Sequence, residues 1–178
     1  MNYCIFKVQT DIQDSKNWDS VKFEKTENLE FNPSYIDIVS VYRAVYNNNK
    51  LLNEKIVSFE DFINWLNKYD EKITRYVGWG CLTFDIPVLL YQCIKYGYKF
   101  NSKLFTLIKY RTNPIFDIQE CLYNWGKKNS LLLTVSDFNI KYDKILEQKY
   151  EDVKDKNKLL LEKGRLIYKL YCKTKNYF

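Results

Sequence analysis

Apolar and polar positions along the chain follow two different periods, and the change from one to the other predicts the order of elements. Residues Asn2 to Val8 are an apolar run rich in aromatic and branched side chains, followed by polar turn formers around Asp11 to Asp19. This predicts an opening strand. From Tyr35 to Tyr46 the period is two. Ile36, Ile38, Ser40, Tyr42 and Ala44 fall on one side, and Asp37, Val39, Val41, Arg43 and Val45 on the other. Asn47, Asn48 and Asn49 supply turn residues before Lys50 to Val57, so the two runs are expected to pair as a long hairpin.

The period then lengthens. Phe59, Phe62, Ile63 and Leu66 recur at helical spacing behind Ser58, with Asp61 placed as a capping partner. Arg75 to Trp79 is a brief strand ending at Gly78-Trp79-Gly80. Asp85 stands before a second helix and is expected to cap it. Pro87 occupies its first turn, Ile86, Leu89, Leu90, Cys93 and Ile94 form its buried stripe, and Gly97 ends it. Ile115 to Trp125 reads either as a strand end or as a helix starting near Asp117, and short apolar pieces follow at Leu131 to Val135 and Phe138 to Ile140. A long charged helix runs from about Asp152 to Lys173, with Leu160, Leu166, Ile167, Leu170 and Tyr171 inward. Strands at the front, then strand and helix in alternation, predict an α/β domain with a central mixed sheet of about five strands flanked by helices. The length of 178 residues, with no linker or repeat, fits a single domain over residues 1–178.

Composition narrows the chemistry. The chain has no His, which removes Ser-His-Asp and Cys-His nucleophilic catalysis and every His-containing zinc site. Its 5 cysteines are widely spaced with no C-x-x-C pair, as for free thiols in a reducing compartment. No apolar stretch reaches the roughly 18 residues of a membrane span, and the first residues lack a signal-peptide core. A cytoplasmic protein without a membrane partner is expected. Net charge is +6 and aromatic residues make up 17% of the chain. A basic surface with exposed rings suits nucleic acid, whereas AT-rich coding inflates Lys, Asn, Tyr and Ile together. Composition does not choose between the two.

One segment is more specific. Val77 to Gly97, V-G-W-G-C-L-T-F-D-I-P-V-L-L-Y-Q-C-I-K-Y-G, resembles the second motif of the DEDD-type 3'-5' exonucleases, in the branch related to family B polymerase proofreading domains. In that superfamily a strand enters a glycine-containing loop, then Phe-Asp, then a helix. Phe116 to Leu122 is similar to the segment that follows, and the helix Leu159 to Tyr171 sits where the last motif belongs. The resemblance implies a ribonuclease H-like fold and a site of four metal-binding carboxylates. Only Asp85 matches clearly. Lys7 and Gln9 stand where the first motif has Asp and Glu, and Gly164 or a neighbour stands where the fourth acid belongs. Two-metal phosphodiester hydrolysis needs two cations held about 3.5–4 Å apart by several negative oxygens. A lysine in that place opposes them, and it is free to pair with Asp85 or to meet a phosphate.

The leading expectation is therefore a catalytically inactive exonuclease-like protein with no metal or other cofactor, holding single-stranded DNA in the former substrate groove. Lys7, Trp79, Lys109, Tyr110, Arg111, Lys127 and Lys128 are the candidate nucleic-acid contacts, since basic groups interleaved with rings on which bases stack are the recipe of single-strand binders. Two alternatives stay open. One is an active nuclease using Mg2+ or Mn2+ through relocated acids at Asp11, Asp85, Asp117 and Glu120. The other is a protein-interaction module docking a replication protein or a host protein. The Lys- and Asn-rich composition fits an AT-rich replicon such as a phage or plasmid.

Overall fold

The expected mixed sheet forms around the opening strand. A computed structural model describes residues 2–12, 36–100, 102–105, 114–123 and 129–177. Strands β1 (Asn2–Ile12), β2 (Ile36–Asn47), β3 (Lys50–Val57), β4 (Arg75–Gly78) and β5 (Ile115–Asp117) lie in the order β3-β2-β1-β4-β5. β2 runs antiparallel to both β1 and β3, while β4 is parallel to β1 and β5 parallel to β4. Asn48 and Asn49, both at positive φ, make the tight turn between β2 and β3, as expected for a two-residue hairpin loop.

Helices cover both faces. On one side α1 (Phe59–Tyr69) and α2 (Ile86–Tyr96) pack Phe62, Ile63, Leu66, Ile86, Leu89 and Cys93 against Cys4, Phe6, Val8 and Val41. On the other, α3 (Ile118–Tyr123), α4 (Leu131–Asp137) and α5 (Lys156–Thr174) cover Tyr3, Ile5, Tyr42 and Ala44, with Leu160, Ile167, Leu170 and Tyr171 of α5 at the centre. A strand buried on both faces reads as a continuous apolar run rather than an alternating one. This is why Asn2 to Val8 is so apolar, and why Lys7 stands out within it.

Four details depart from the sequence reading. The pairing of β1 with β2 slips by one residue beside Gln9, leaving Val39 as an extra, exposed residue, and the β2 to β3 pairing slips likewise at Leu52. An extra residue reverses the faces beyond it. Ile38 therefore packs toward α1 and α2, not with Tyr42 and Ala44. On α2, Ile94 is 68% exposed. The buried residues are Ile86, Val88, Leu89, Gln92 and Cys93, because the helix is rotated to meet the start of β2, where Gln92 Nε2 donates to the Ile36 carbonyl at 2.6 Å. Between Ile115 and Tyr123 the chain is both strand and helix, β5 passing directly into α3. Finally, α5 starts only at Lys156, since a 3-10 turn occupies Tyr150–Asp152 and the Asp155 carboxylate caps the helix by accepting from the Lys158 amide. Among the described residues no helix is long and apolar enough to cross a membrane.

Candidate functional site

β4 ends at Gly78, and the chain turns through Trp79 and Gly80 into a five-residue π turn, Cys81–Asp85, which runs straight into α2. A Cβ on Gly78 would lie 2.6 Å from the Cys81 Cβ, so the tight approach of loop to turn requires glycine there. Asp117, at the end of β5, organises this loop. Its buried carboxylate accepts from the amides of Gly80 and Leu82, both at 2.9 Å, and from that of Gln119 at 3.0 Å.

Asp85 does not cap α2. Its backbone is already helical and its side chain makes no capping bond. The reason is the π turn: the Phe84 amide bonds the Gly80 carbonyl and the Ile86 amide bonds that of Cys81, so the first amides of the helix are served by carbonyls upstream. Released from capping, the carboxylate reaches across to β1. It accepts from the Lys7 ammonium through both oxygens, at 2.9 and 2.8 Å, and from the Val8 amide at 3.0 Å. Asp85 is fully buried and the Lys7 side chain is 20% exposed. Burial pushes the Asp85 carboxyl above its ordinary value, opposed by the charge and hydrogen bonds of Lys7 and by the Val8 amide. The Phe84 ring lies 5.4 Å from the Lys7 ammonium.

A third charged group, on α5, interacts electrostatically with this pair. Lys163 is half-buried, and its pKa is lowered by burial and by the neighbouring charge of Lys7, while Asp85 acts in the opposite sense. Lys163 is thus within electrostatic range of both Lys7 and Asp85, while the hydrogen bonds to the carboxylate come from Lys7 and the Val8 amide. Gly164, the expected place of a lost acid, is not a vacant acid position. It lies against the fully buried ring of Tyr42, and any Cβ there would overlap that ring. The neighbour Lys163 is the residue of α5 that senses the charges of Lys7 and Asp85. It continues the Leu160 to Ile167 stripe at helical spacing, and that periodicity was the signal that could have found it.

The remaining candidates are placed as follows. Gln9 is buried and donates to the Thr10 carbonyl at 3.3 Å. Trp79 is only 8% exposed, packed edge-on to Tyr123 within the core on the α5 side. An indole so enclosed offers no face for a base, which corrects its assignment as a stacking ring. Lys109, Tyr110, Arg111, Lys127 and Lys128 lie outside the described residues. Of the acids proposed for relocation, Asp85 is paired with Lys7, Asp117 is committed to the loop amides, Glu120 stands on α3 and Asp11 is exposed near the end of β1. Among the described residues no three Asp, Glu or Cys side chains converge as a metal site would require. Both oxygens of Asp85 are already engaged by the Lys7 ammonium.

No protein-family model and no curated protein matches this chain. Among solved structures it is similar to the family B DNA polymerase from the hyperthermophilic archaeon Pyrobaculum calidifontis, at a TM-score of 0.62 and 12% identity over 98% of this chain. The fold is ribonuclease H-like. The chain spans 24% of that polymerase's length, and the likeness is one of fold.

Proposed function

We propose that this chain is an exonuclease-like domain that holds single-stranded nucleic acid, DNA in the first instance, in the cleft beside Lys7 and Lys163 without cutting it. The observation that carries this reading is the contact of the Lys7 ammonium with both oxygens of Asp85. Two unit charges of like sign about 4 Å apart repel by roughly 4 kcal/mol at an effective dielectric of 20, so the ammonium and a divalent ion do not share the site. What opposes a metal favours a phosphate. With Lys7 and Lys163 around one acid, the cluster carries a surplus positive charge, and the chain as a whole is at +6. A phosphodiester backbone meeting such a surface releases counterions, and its binding is salt-dependent.

The test is a titration of a fluorescently end-labelled oligodeoxythymidylate by anisotropy at rising KCl, with a parallel incubation in Mn2+. Expected are binding at low salt, a linear fall of log affinity with log salt at a slope of about −0.7 per phosphate contacted, weaker binding by Lys163→Gln, and no shortening of the strand. Metal-dependent 3' trimming that disappears in Asp85→Ala would overturn the reading, as would the absence of binding at low salt.

A second reading, a protein-docking scaffold, is favoured by β3, which forms one edge of the described sheet and exposes Leu51 and Leu52. Exposed edge strands template pairing with another chain. Retention of a partner protein without retention of DNA is the result that would prefer it.

A further inference from the structure

On the opposite face of the sheet from Lys7, a second buried cation lines a cavity. Arg43 belongs to the α1-facing row of β2 and is 7% exposed. Its Nη1 donates to Asn53 Oδ1 at 3.0 Å and its guanidinium lies 4.5 Å from the Trp65 ring centroid. No carboxylate among the described residues pairs with it, and its buried Nε has no acceptor. Burial accordingly lowers its pKa. Buried charges are ordinarily paired, because an isolated one loses its hydration without return. The sheet register adds to the imbalance, placing Arg43 directly opposite Lys55, and like charges in that relation are destabilising.

The cavity beside Arg43 measures about 380 Å3 and is walled by Trp65 and Tyr69, with Lys55 and Lys72 among its lining residues and no acidic side chain. This lies within the roughly 300–1,000 Å3 range of small-ligand sites. A second orphan group completes it: Asn2 also lines the cavity, and its buried Oδ1 has no donor. A guanidinium and two ammonium groups call for a phosphate. The aromatic wall made by Trp65 and Tyr69, whose ring centroids lie 6.2 Å apart, calls for a flat ring laid against it, and a lone buried carbonyl oxygen calls for an N–H on that ring. We infer that this cavity binds a nucleoside monophosphate, with the phosphate at Arg43, Lys55 and Lys72, the base laid against the wall that Trp65 and Tyr69 form together, and an amino group of the base donating to Asn2.

Titrating the full chain with adenosine 5'-monophosphate while following tryptophan emission tests this, with Trp65→Phe identifying the reporting ring and inorganic phosphate and adenosine as separate probes. Expected are saturation at one equivalent, weaker binding of either half alone, and a loss of at least about tenfold in affinity in Arg43→Met, the scale of a charge-assisted hydrogen bond. If Arg43→Met does not fold, the double variant Lys55→Ala/Lys72→Ala, altered at two exposed residues, carries the same expectation. Adenosine binding as tightly as its monophosphate would overturn the proposal. So would a folded Arg43→Met, or the lysine variant, binding adenosine 5'-monophosphate undiminished, or no saturation at millimolar ligand.

Discussion

Lys7 and Arg43 lie on neighbouring strands of one sheet, face opposite helical layers, and are treated in opposite ways. Lys7 is given a fully buried carboxylate, which a backbone amide also supports. Arg43 is buried as deeply as many core residues and receives an asparagine, an indole face and a like-charged neighbour across the strand. A charge matched inside the fold is held in place by its partner. A charge left without a counter-charge is a standing demand on something outside the fold. Beside Asp85 one ammonium is matched and Lys163 is left over, whereas Arg43 meets no carboxylate among the described residues and lies where no motif points.

The contrast can be broken most forcefully at Lys7. Lys7→Met leaves the Asp85 carboxylate buried and alone, and removing one partner of a buried pair costs about 3–5 kcal/mol. In a chain of this length that is a fall of roughly 6–20 °C in Tm, readable by scanning calorimetry. Lys7→Met/Asp85→Leu should recover much of it, since an apolar pair of similar volume does not strand a charge. Next in size is Gly164→Ala, which forces a methyl group into the buried Tyr42 ring. Overpacking of this kind costs about 1–3 kcal/mol, and chemical denaturation measures it. Smaller, and opposite in sign to Lys7→Met, is Arg43→Met. Removing a buried charge that lacks a carboxylate should leave stability unchanged or raise it by up to about 1 kcal/mol. If Arg43→Met destabilises as severely as Lys7→Met, the two cations are equivalent after all.

The smallest effect concerns Glu54. Its carboxylate accepts from Arg165 Nη2 at 2.8 Å and from the Tyr42 hydroxyl at 2.9 Å, tying α5 to the β2–β3 hairpin. The Arg165 hydrogen bonds hold its pKa below the ordinary value, against the opposing effect of burial. A depressed carboxyl contributes stability that is present above its unfolded value of about 4.3 and is lost as pH falls through the folded value. Arg165 is partly exposed, so Arg165→Met should cost less than about 1 kcal/mol at neutral pH. Thermal melts of the two proteins should converge as the medium is acidified below pH 4.

Much of the architecture was legible because burial writes itself into spacing. The period-two run of β2, the helical repeats of α1 and α5 and the glycine after α2 each predict an element that forms. Asp85 was legible as the residue that fits a recognisable motif, and Lys7 as a residue type out of place in one. Their mutual contact needed the π turn, since ordinary spacing reads Asp85 as a cap and sends its side chain to the wrong partner. Lys163 was passed over in favour of the adjacent glycine, although it occupies the inward stripe. Trp79 was misplaced because a loop residue beside a cleft is taken to face it, whereas here it turns back into the core. The Arg43 cavity is assembled from residues of three strands and a helix, so no local pattern announces it.

The single residue in excess at Leu52 has an electrostatic consequence. The hairpin closes with Asn47 opposite Lys50 and Tyr46 opposite Leu51, and that register continued without interruption would set Arg43 opposite Glu54. The bulge advances β3 by one position, so Glu54 falls beside Ala44, within reach of Tyr42 and Arg165, and Lys55 arrives at Arg43 in its stead. One surplus residue in an edge strand withholds from a buried guanidinium the counter-ion that a regular hairpin would have supplied.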